Sequence, residues 1–466
     1  MKPSKYQSLV QTKVSAGESV LLIAPTGLGK TFAVAGDLAT STEKLVYAVP
    51  LRALGTDIQE AIAGFRPDDR AFRPVLHHGG LQESNLFSEE VIVTTYDQVV
   101  AGVPGLPLSL PLKAGHAVAA ALLMSRLVFD EAHLAWAISD EALPILFGIL
   151  ASRSRLGLQS VVLTATLPDY VATLVADALH LDLISVGSGD TADDEQIRLR
   201  EANRHVHISP LELIVKGKGE SQQLDWGPLD AILQETSGKR IYFANTVERI
   251  HDTYDRLVKA GIDTSRITIL HNRMPSSWRG TAELEVKTRF GKGSKLGDWL
   301  LLTNQVAEAG MDISAPLVIS DPAPVDTLVQ RAGRCARWFR EGPIEGHFFV
   351  VKAPNADTTK GLTAPYRSAL VRLAIESLPT ADLSWEAERT WINQAWGGGP
   401  KNATKAVAGA LGQVTFALNL FDRAAQERSP SEIANVFREI LSVEVAVEEQ
   451  GSTRDLQDLL NSGYRP

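Results

Sequence analysis

The stretch SVLLIAPTGLGKT, from Ser19 to Thr31, places a short apolar run before a glycine-rich turn and the expected start of a helix. In this order, successive backbone N–H groups and a helix N-terminus surround one phosphate group. Lys30 then reaches the β and γ phosphates of a nucleotide, and the Thr31 hydroxyl binds Mg²⁺. Ala24 replaces the first glycine of the usual G-x-x-x-x-G-K-[ST] pattern, and the other defined positions are matched. The predicted nucleotide-binding residues of this turn are Pro25, Thr26, Gly27, Leu28, Gly29, Lys30 and Thr31.

Composition places few limits on function beyond this. The chain has 466 residues, 44% of them apolar and 22% charged, which is typical of globular proteins with two or three domains. A formal net charge of −9 argues against a basic surface over the whole chain but not against a local basic groove. Cys335, the single cysteine, excludes an internal disulfide and a thiolate zinc cluster, so we expect a cytoplasmic protein. The longest uncharged apolar run, AVAAALLM from Ala117, is too short to cross a membrane.

Short runs of Val, Ile and Leu alternate with longer amphipathic segments, as in α/β proteins with parallel sheets. We predict two tandem sheets separated by a polar linker at Gly187–Arg204, giving domains 1–205 and 206–378. Residues 379–466 lose the strand pattern and are predicted to form a small helical region. The predicted strands are SVLLIA, LVYAVP, VIVTTY, LVFDEA and SVVLTAT in the first sheet, and RIYFAN, ITILHN, WLLLTN, PLVISD and GHFFVV in the second.

The segment RLVFDEAHLAW ends a predicted buried strand with two adjacent carboxylates, Asp130 and Glu131. An aspartate at a strand end is where nucleotide hydrolases hold their metal, and a neighbouring glutamate polarises the attacking water. An acidic helix N-terminus would also explain both carboxylates, but not their partnership with Lys30. His133 has two open interpretations, a structural histidine or a residue that couples the site to another domain.

The segment VQRAGRCARWFR sets Arg331, Arg334, Arg337 and Arg340 three residues apart, where like charges on a helix repel one another. If the second sheet packs against the first across the nucleotide, a bound triphosphate offsets this repulsion. We therefore predict that Arg334 and Arg337 are arginine fingers and that Gln330 positions the water. A solvated basic face is the alternative.

PTGLGKT, DEAH, TAT at Thr164–Thr166 and QRAGRCAR occur in the order and spacing of superfamily 2 helicases. Within that superfamily, TNQVAEAGMDI followed by APVDTLVQRAGR most resembles the helicase portion of the CRISPR-associated type I effector helicase-nuclease. The resemblance covers roughly the first three quarters of the chain. It implies two RecA-like domains that hydrolyse ATP with Mg²⁺ and move along single-stranded DNA, 3′ to 5′.

The resemblance also assigns roles to individual positions. Gln7 matches the adenine-binding glutamine, although a surface glutamine is an equal alternative. Gly310 and Asp312 match the motif that senses ATP, and Glu308, His133, Thr164 and Thr166 are implied to couple ATP to the nucleic acid. The implied DNA contacts, which grip the backbone without reading bases, are Pro50, Arg52, Ala53, Thr94, Thr95, Asp97, Asn245, Thr246, Thr303 and Gln305.

One departure concerns the metal-dependent HD nuclease that the family commonly carries. Only 29 residues precede Lys30, so we expect no such domain ahead of the motor. The pair His251-Asp252 lies in a predicted amphipathic helix without further ligands, and His77-His78 is interpreted as structural. We therefore expect a motor subunit whose partners are a guide-RNA surveillance complex and an HD nuclease on a separate chain. The alternatives are a general DNA-repair or RNA helicase and a nucleic-acid-binding scaffold with a vestigial ATP site.

Overall fold

The chain folds into two compact units, each built around its own parallel sheet. Of the described residues, the first contains those within 2–202 and 385–413, and the second contains those within 203–384. The structure, a computed structural model, describes residues 2–39, 43–50, 52–66, 72–79, 81–84, 86–108, 111–134, 142–216, 223–308, 311–353, 362–396 and 399–413. Within those ranges, no helix has the length and apolarity needed to span a membrane.

The first unit has a sheet whose central strands are buried along their whole length. Such strands read as unbroken apolar runs because helices cover both faces of the sheet. The strand order is β4-β3-β5-β2-β6-β7-β1-β8, and only β4 runs antiparallel to its neighbour. The strands are β1 (Val20–Ile23), β2 (Leu45–Val49), β3 (Val75–His78), β4 (Leu81–Gln82), β5 (Val91–Thr95), β6 (Arg126–Phe129), β7 (Ser160–Thr164) and β8 (Asp182–Ser185).

Helices follow most of these strands and supply the apolar faces that bury the sheet. Up to residue 203, the described helices of this unit are α1 (Lys5–Ser15), α2 (Lys30–Ala35), α3 (Arg52–Ala63), α4 (Tyr96–Gly102), α5 (Gly115–Leu123), α6 (Ala142–Arg155), α7 (Asp169–Leu179) and, leading into the next unit, α8 (Glu195–Asn203).

The second unit repeats this architecture with the strand order β13-β14-β12-β15-β16-β9, all parallel, beside a small antiparallel pair β10-β11. Its strands are β9 (Arg204–Glu212), β10 (Ile214–Lys216), β11 (Gln223–Asp225), β12 (Arg240–Phe243), β13 (Ile267–Leu270), β14 (Leu300–Thr303), β15 (Leu317–Ser320) and β16 (Ile344–Lys352). Its helices are α9 (Gly227–Glu235), α10 (Val247–Lys259), α11 (Ser276–Phe290), α12 (Val325–Ala332) and α13 (Ser368–Glu376). The predicted fold class is confirmed.

The predicted linker and the predicted C-terminal region can be compared with the structure. The stretch predicted as a linker is folded, because α8 runs through it and β9 begins at Arg204. The helices α14 (Trp385–Ala395) and α15 (Pro400–Gly412) group with the first unit, and residues 414–466 lie outside the described ranges.

The predicted helix through all four arginines is wrong. Helix α12 ends at Ala332, so only Arg331 lies within it. The reason is tertiary: Cys335 forms a parallel bridge with Ala315, whose N–H donates to the carbonyl of Arg334 over 3.1 Å. The Ala336 N–H donates to Ala315 O over 3.2 Å, so it cannot also donate to the Ala332 carbonyl as a continued helix would require.

Candidate functional site

The glycine-rich turn connects β1 to α2. Gly27 has a φ of 79° and Gly29, the residue before the helix, a φ of 89°. These left-handed conformations are strained for residues with a Cβ, which explains glycine at both positions. Helix α2 begins at Lys30, so its first backbone N–H groups face the turn. The local geometry therefore suits an anion at this end of the sheet.

Lys30 is paired with Glu131, which follows β6, a strand separated from β1 by β7 in the sheet. Its Nζ lies 2.9 Å from Glu131 Oε1, and both side chains are buried. Glu131 has a φ of 51°, a conformation rare for a residue with a side chain and often found at functional sites. The buried ammonium group thus has a carboxylate as counter-ion, as a buried charge requires.

Asp130 lies beside this pair and binds a tyrosine from β2. Tyr47 donates its hydroxyl to Asp130 Oδ2 over 2.9 Å, and Tyr47 is also hydrogen-bonded with Thr31. Burial, together with the adjacent Glu131 carboxylate, raises the pKa of Asp130 to about 6. Tyr96 fixes the backbone here by donating to the Asp130 carbonyl over 2.5 Å.

These residues fit a magnesium ion. Thr31 and Asp130, the two predicted ligands, meet at one tyrosine hydroxyl, and both offer the oxygen atoms that Mg²⁺ prefers. A cation beside Asp130 would also stabilise a carboxylate that burial otherwise disfavours. Magnesium usually takes only one or two protein carboxylates plus phosphate and water.

Helix α1 contacts the turn from outside. Gln7, in its first turn, donates Nε2 towards the carbonyls of Leu28 and Gly29, each at 3.3 Å, while its Oε1 accepts from Ser4 N. Tyr6 donates to Leu28 O over 2.8 Å. Gln7 is buried and is therefore not the surface glutamine of the alternative interpretation.

Three of the four residues predicted to couple the site to nucleic acid lie behind Glu131. His133 Nδ1 is 3.5 Å from Glu131 Oε2 and 3.2 Å from Thr164 Oγ1, and Thr164 Oγ1 also accepts from Thr166 N. The three side chains are buried in one unit with the carboxylates.

The predicted DNA contacts of the first unit lie at strand ends. Pro50 follows β2, and Thr94 and Thr95 end β5. Thr94 donates its hydroxyl to His77 O over 2.6 Å, and Thr94, Thr95 and Asp97 are buried. Arg52 and Ala53 begin α3, but their side chains lie outside the described features.

The corresponding residues of the second unit form a polar cluster at the carboxyl end of its sheet. Thr246 caps α10 by accepting from Arg249 N, and Thr303 donates to Leu270 O over 2.8 Å. Asn245 donates to Pro322 O over 2.9 Å, and Gln305 donates to Asn245 O over 3.3 Å.

The arginine segment is held by acceptors of its own unit. Arg331, fully buried, donates Nε to Glu308 Oε1 over 2.7 Å. Arg334 donates Nη2 to Glu308 O, and Arg337 donates Nε to Asp312 Oδ1, each over 2.6 Å. Burial alone would raise the pKa of Asp312, but Arg337 outweighs it and holds that pKa below its usual value. Gln330 is buried on α12, and Gly310 lies outside the described residues.

Comparison with known families locates two domains. Residues 4–174 match the family model for DEAD/DEAH box helicases. Residues 236–340 match the model described as CRISPR-associated nuclease/helicase Cas3, C-terminal. The chain combines a DEAD/DEAH box helicase domain with a Cas3-like C-terminal domain. The motif resemblance is thereby confirmed.

Curated relatives carry the same names. The chain is 24% identical over 353 residues to the CRISPR-associated nuclease/helicase Cas3 of Methanothermobacter thermautotrophicus, covering 71% of this chain and 40% of that protein. It is 24% identical over 399 residues to the CRISPR-associated helicase Cas3 of Thermoproteus tenax, covering 80% and 61% respectively. The chain thus spans about half the length of the relatives it matches. The domains and relatives support an ATP-dependent helicase as the enzyme class.

Solved structures agree on the fold. The structure of T. fusca Cas3 with AMPPNP matches with a TM-score of 0.64 at 20% identity, covering 90% of this chain and 55% of that one. The DUF1998 helicase MrfA bound to DNA and AMPPNP matches with a TM-score of 0.56 at 15% identity, covering 98% and 56%.

Three polar residues with structural partners at these sites were not predicted from the sequence. Tyr47 lies inside an apolar strand of the helicase domain, and Asp321 follows β15 in the Cas3-like domain, where it accepts from Tyr242 over 2.7 Å and from Asn245 N over 2.8 Å. Tyr366 lies beyond the matched range and contacts Gln305. For Tyr47 and Asp321 the sequence did contain a signal, namely a polar residue within or directly after a buried apolar run.

Within the described ranges, no three histidine, cysteine, aspartate or glutamate side chains are arranged to hold a metal ion. His251 lies on α10, as predicted, and its ring packs edge-on against His271 with centroids 5.3 Å apart. His77 is buried and packs edge-on against Phe87.

Proposed function

We propose that this chain is an ATP-dependent motor that translocates 3′ to 5′ along single-stranded DNA in a type I CRISPR interference system. The observation that carries the proposal is the buried group of Lys30, Asp130 and Glu131 beside the glycine-rich turn. The similarity to relatives named as CRISPR-associated Cas3 proteins supports the CRISPR assignment.

Each residue of this group has a role in the proposed reaction. Bound ATP supplies the phosphoanhydride bond, with Mg²⁺ screening its phosphates. Thr31 and Asp130 are proposed to hold the metal, and Gln7 to recognise the adenine. Lys30 exchanges Glu131 for phosphate oxygens, which leaves the Glu131 carboxylate to orient and polarise a water.

The second unit is proposed to supply positive charge at the place where negative charge develops in the transition state. Arg334 and Arg337 are the proposed fingers, Gln330 positions the water, and Glu308 with Asp312 senses the nucleotide. Because Arg337 is paired with Asp312 over 2.6 Å, its action requires that this exposed ion pair be exchanged for phosphate.

We further propose that the chain acts with a guide-RNA surveillance complex and with an HD nuclease on a separate polypeptide. A structurally similar chain is described as part of a CRISPR RNA-guided surveillance complex, pre-nicking, with a TM-score of 0.59 over 90% of this chain. A general DNA helicase is the second candidate, favoured by the match to DNA-bound MrfA over 98% of the chain.

ATP turnover and strand separation test the proposal together. The purified chain is expected to hydrolyse ATP faster with single-stranded DNA than with RNA or no nucleic acid, and to unwind a partial duplex with a 3′ overhang. Lys30→Ala, which removes the charge that neutralises the phosphates, should abolish both activities. Stimulation by RNA alone would favour an RNA helicase, and no turnover would indicate a binding scaffold. Unwinding only from a 5′ overhang would reverse the proposed direction.

A further inference from the structure

A short segment after β16 lies on the polar cluster of the second unit. Leu362 O accepts from Asn245 Nδ2 over 3.2 Å, which anchors the start of the segment. Four residues later, the half-buried Tyr366 receives two donors at its hydroxyl oxygen: Gln305 Nε2 at 3.2 Å and Arg331 Nη2 at 3.3 Å. Tyr366 therefore joins Gln305, in the turn that follows β14, to helix α12.

These contacts close into a ring of hydrogen bonds. Gln305 Nε2 also donates to Asn245 O over 3.3 Å, and Arg331 Nη1 donates to Asn245 Oδ1 over 3.1 Å. Burial raises the pKa of Tyr366 well above its ordinary value, so its hydroxyl stays protonated. Asn245, Gln305, Tyr366 and Arg331 thus form one closed polar network. In such a network, fixing one member restricts the others.

The network has two functional sides. Asn245 and Gln305 are the residues proposed to touch nucleic acid. Arg331 continues to the Glu308 carboxylate, and the Glu308 carbonyl accepts from Arg334, the proposed arginine finger. Tyr366 bridges the two sides without belonging to either, and the motif resemblance assigns it no role.

We infer that Tyr366 is a positioning residue that transmits nucleic-acid contact at Gln305 to the placement of Arg334. The inference rests on the proposed function. When the phenol hydroxyl is absent, Gln305 and Arg331 each lose one acceptor and Thr327, on α12, loses its hydrogen bond with the phenol, but Arg331 keeps the Glu308 carboxylate as its counter-ion. The fold is therefore maintained while the two sides become independent.

The test is Tyr366→Phe in the full chain, which removes a single oxygen atom. The measured quantity is the ratio of the ATPase rate at saturating single-stranded DNA to the rate without DNA. We expect this ratio to fall about fivefold or more, towards one, while the KM for ATP and the Kd for DNA change less than twofold. Tyr170→Phe is the matched control, because the Tyr170 hydroxyl is buried and makes no hydrogen bond to any described residue.

A double-mutant cycle separates transmission from loss of structure. If Tyr366 acts through Gln305, then Gln305→Ala lowers the ratio and adding Tyr366→Phe to it causes no further fall. Additive losses, or a Tyr366→Phe chain with the wild-type ratio, would overturn the inference. So would a rise in KM and Kd together with a fall in thermal stability, since that pattern indicates general destabilisation. A wild-type ratio of one overturns the proposed function first, and this outcome is visible before any variant is measured.

Discussion

At the scale of single residues, Tyr47 decides how the two predicted magnesium ligands are arranged. Its hydroxyl reaches both Thr31 and Asp130, although the chain separates these residues by about 100 positions. Burial raises the pKa of Tyr47 well above its ordinary value, so it remains a donor to the carboxylate. Groups that orient metal ligands in this way commonly affect metal affinity as strongly as weak ligands do.

We predict that Tyr47→Phe raises the Mg²⁺ concentration needed for half-maximal ATPase by roughly tenfold. Without the Tyr47 hydroxyl, the Asp130 carboxylate rotates more freely. Binding of the metal then has to order this carboxylate, and that loss of entropy weakens the affinity. Tyr242→Phe is the control, because its hydroxyl makes an equivalent bond to Asp321, 2.7 Å long, in the second unit. A magnesium titration that is unchanged in Tyr47→Phe, or shifted equally in both variants, would contradict the prediction.

At the scale of elements, the predictable strands were those buried on both faces. VLLI, LVYAV and VIVTT are continuous apolar runs, and the structure buries every residue of them. Strand β9, RHVHISPLE, lies at the sheet edge with alternating polar and apolar residues and is missing from the predicted strands. Such alternation is the pattern of a strand with one covered face, but here it is too short to be decisive, since only Val206 and Ile208 follow it before Pro210.

Prediction of the candidate site from the sequence is limited in the same way, to residues within contiguous motifs. Lys30, Asp130 and Glu131 were predictable because each lies in a contiguous motif whose spacing has a chemical meaning. Tyr47 and Tyr366 were not, because their importance depends on partners 83 and 61 residues away, Asp130 and Gln305. The arginine segment was misassigned as helix for a related reason: the bridge between Cys335 and Ala315 is a contact at long sequence separation.

The passage of β16 beside that segment supports a stability prediction. A Cβ on Gly346 would lie 2.5 Å from Cys335 Sγ and 3.1 Å from the Pro316 carbonyl. Gly346→Ala should therefore lower the free energy of unfolding by about 1–3 kcal/mol, as overpacking does elsewhere. Gly280→Ala is the control: no atom lies within 4 Å of its added Cβ on helix α11.

Gly280→Ala should raise the free energy of unfolding by about 0.5–1 kcal/mol, because alanine loses less conformational entropy in a helix. Denaturant unfolding of both variants measures the two changes on one scale. Equal stabilities of the two variants would show that β16 and the arginine segment are not packed as closely as described.

At the scale of the whole molecule, the two units carry separate sheets with the same kind of polar carboxyl edge. In the first unit that edge holds the predicted nucleotide group, and in the second it holds the cluster around Asn245. Many of the polar side chains at both edges bond to backbone or to each other, as Thr94 and Thr303 do. Such groups suit contacts to sugar and phosphate rather than to base edges.

This predicts how the chain grips DNA despite its net charge of −9. Binding must come from a few local cations, amides and hydroxyls, so only about three phosphate counterions should be released. With a slope near −0.7 per contact for single strands, the Kd should rise roughly 20-fold between 50 and 200 mM salt. It should also differ little among mixed-base sequences, because backbone contacts carry no base information. Fluorescence anisotropy across salt and sequence measures both. A flat salt response would mean that stacking or apolar contact dominates, and strong preference for one sequence would require base-reading residues that the polar edges do not offer.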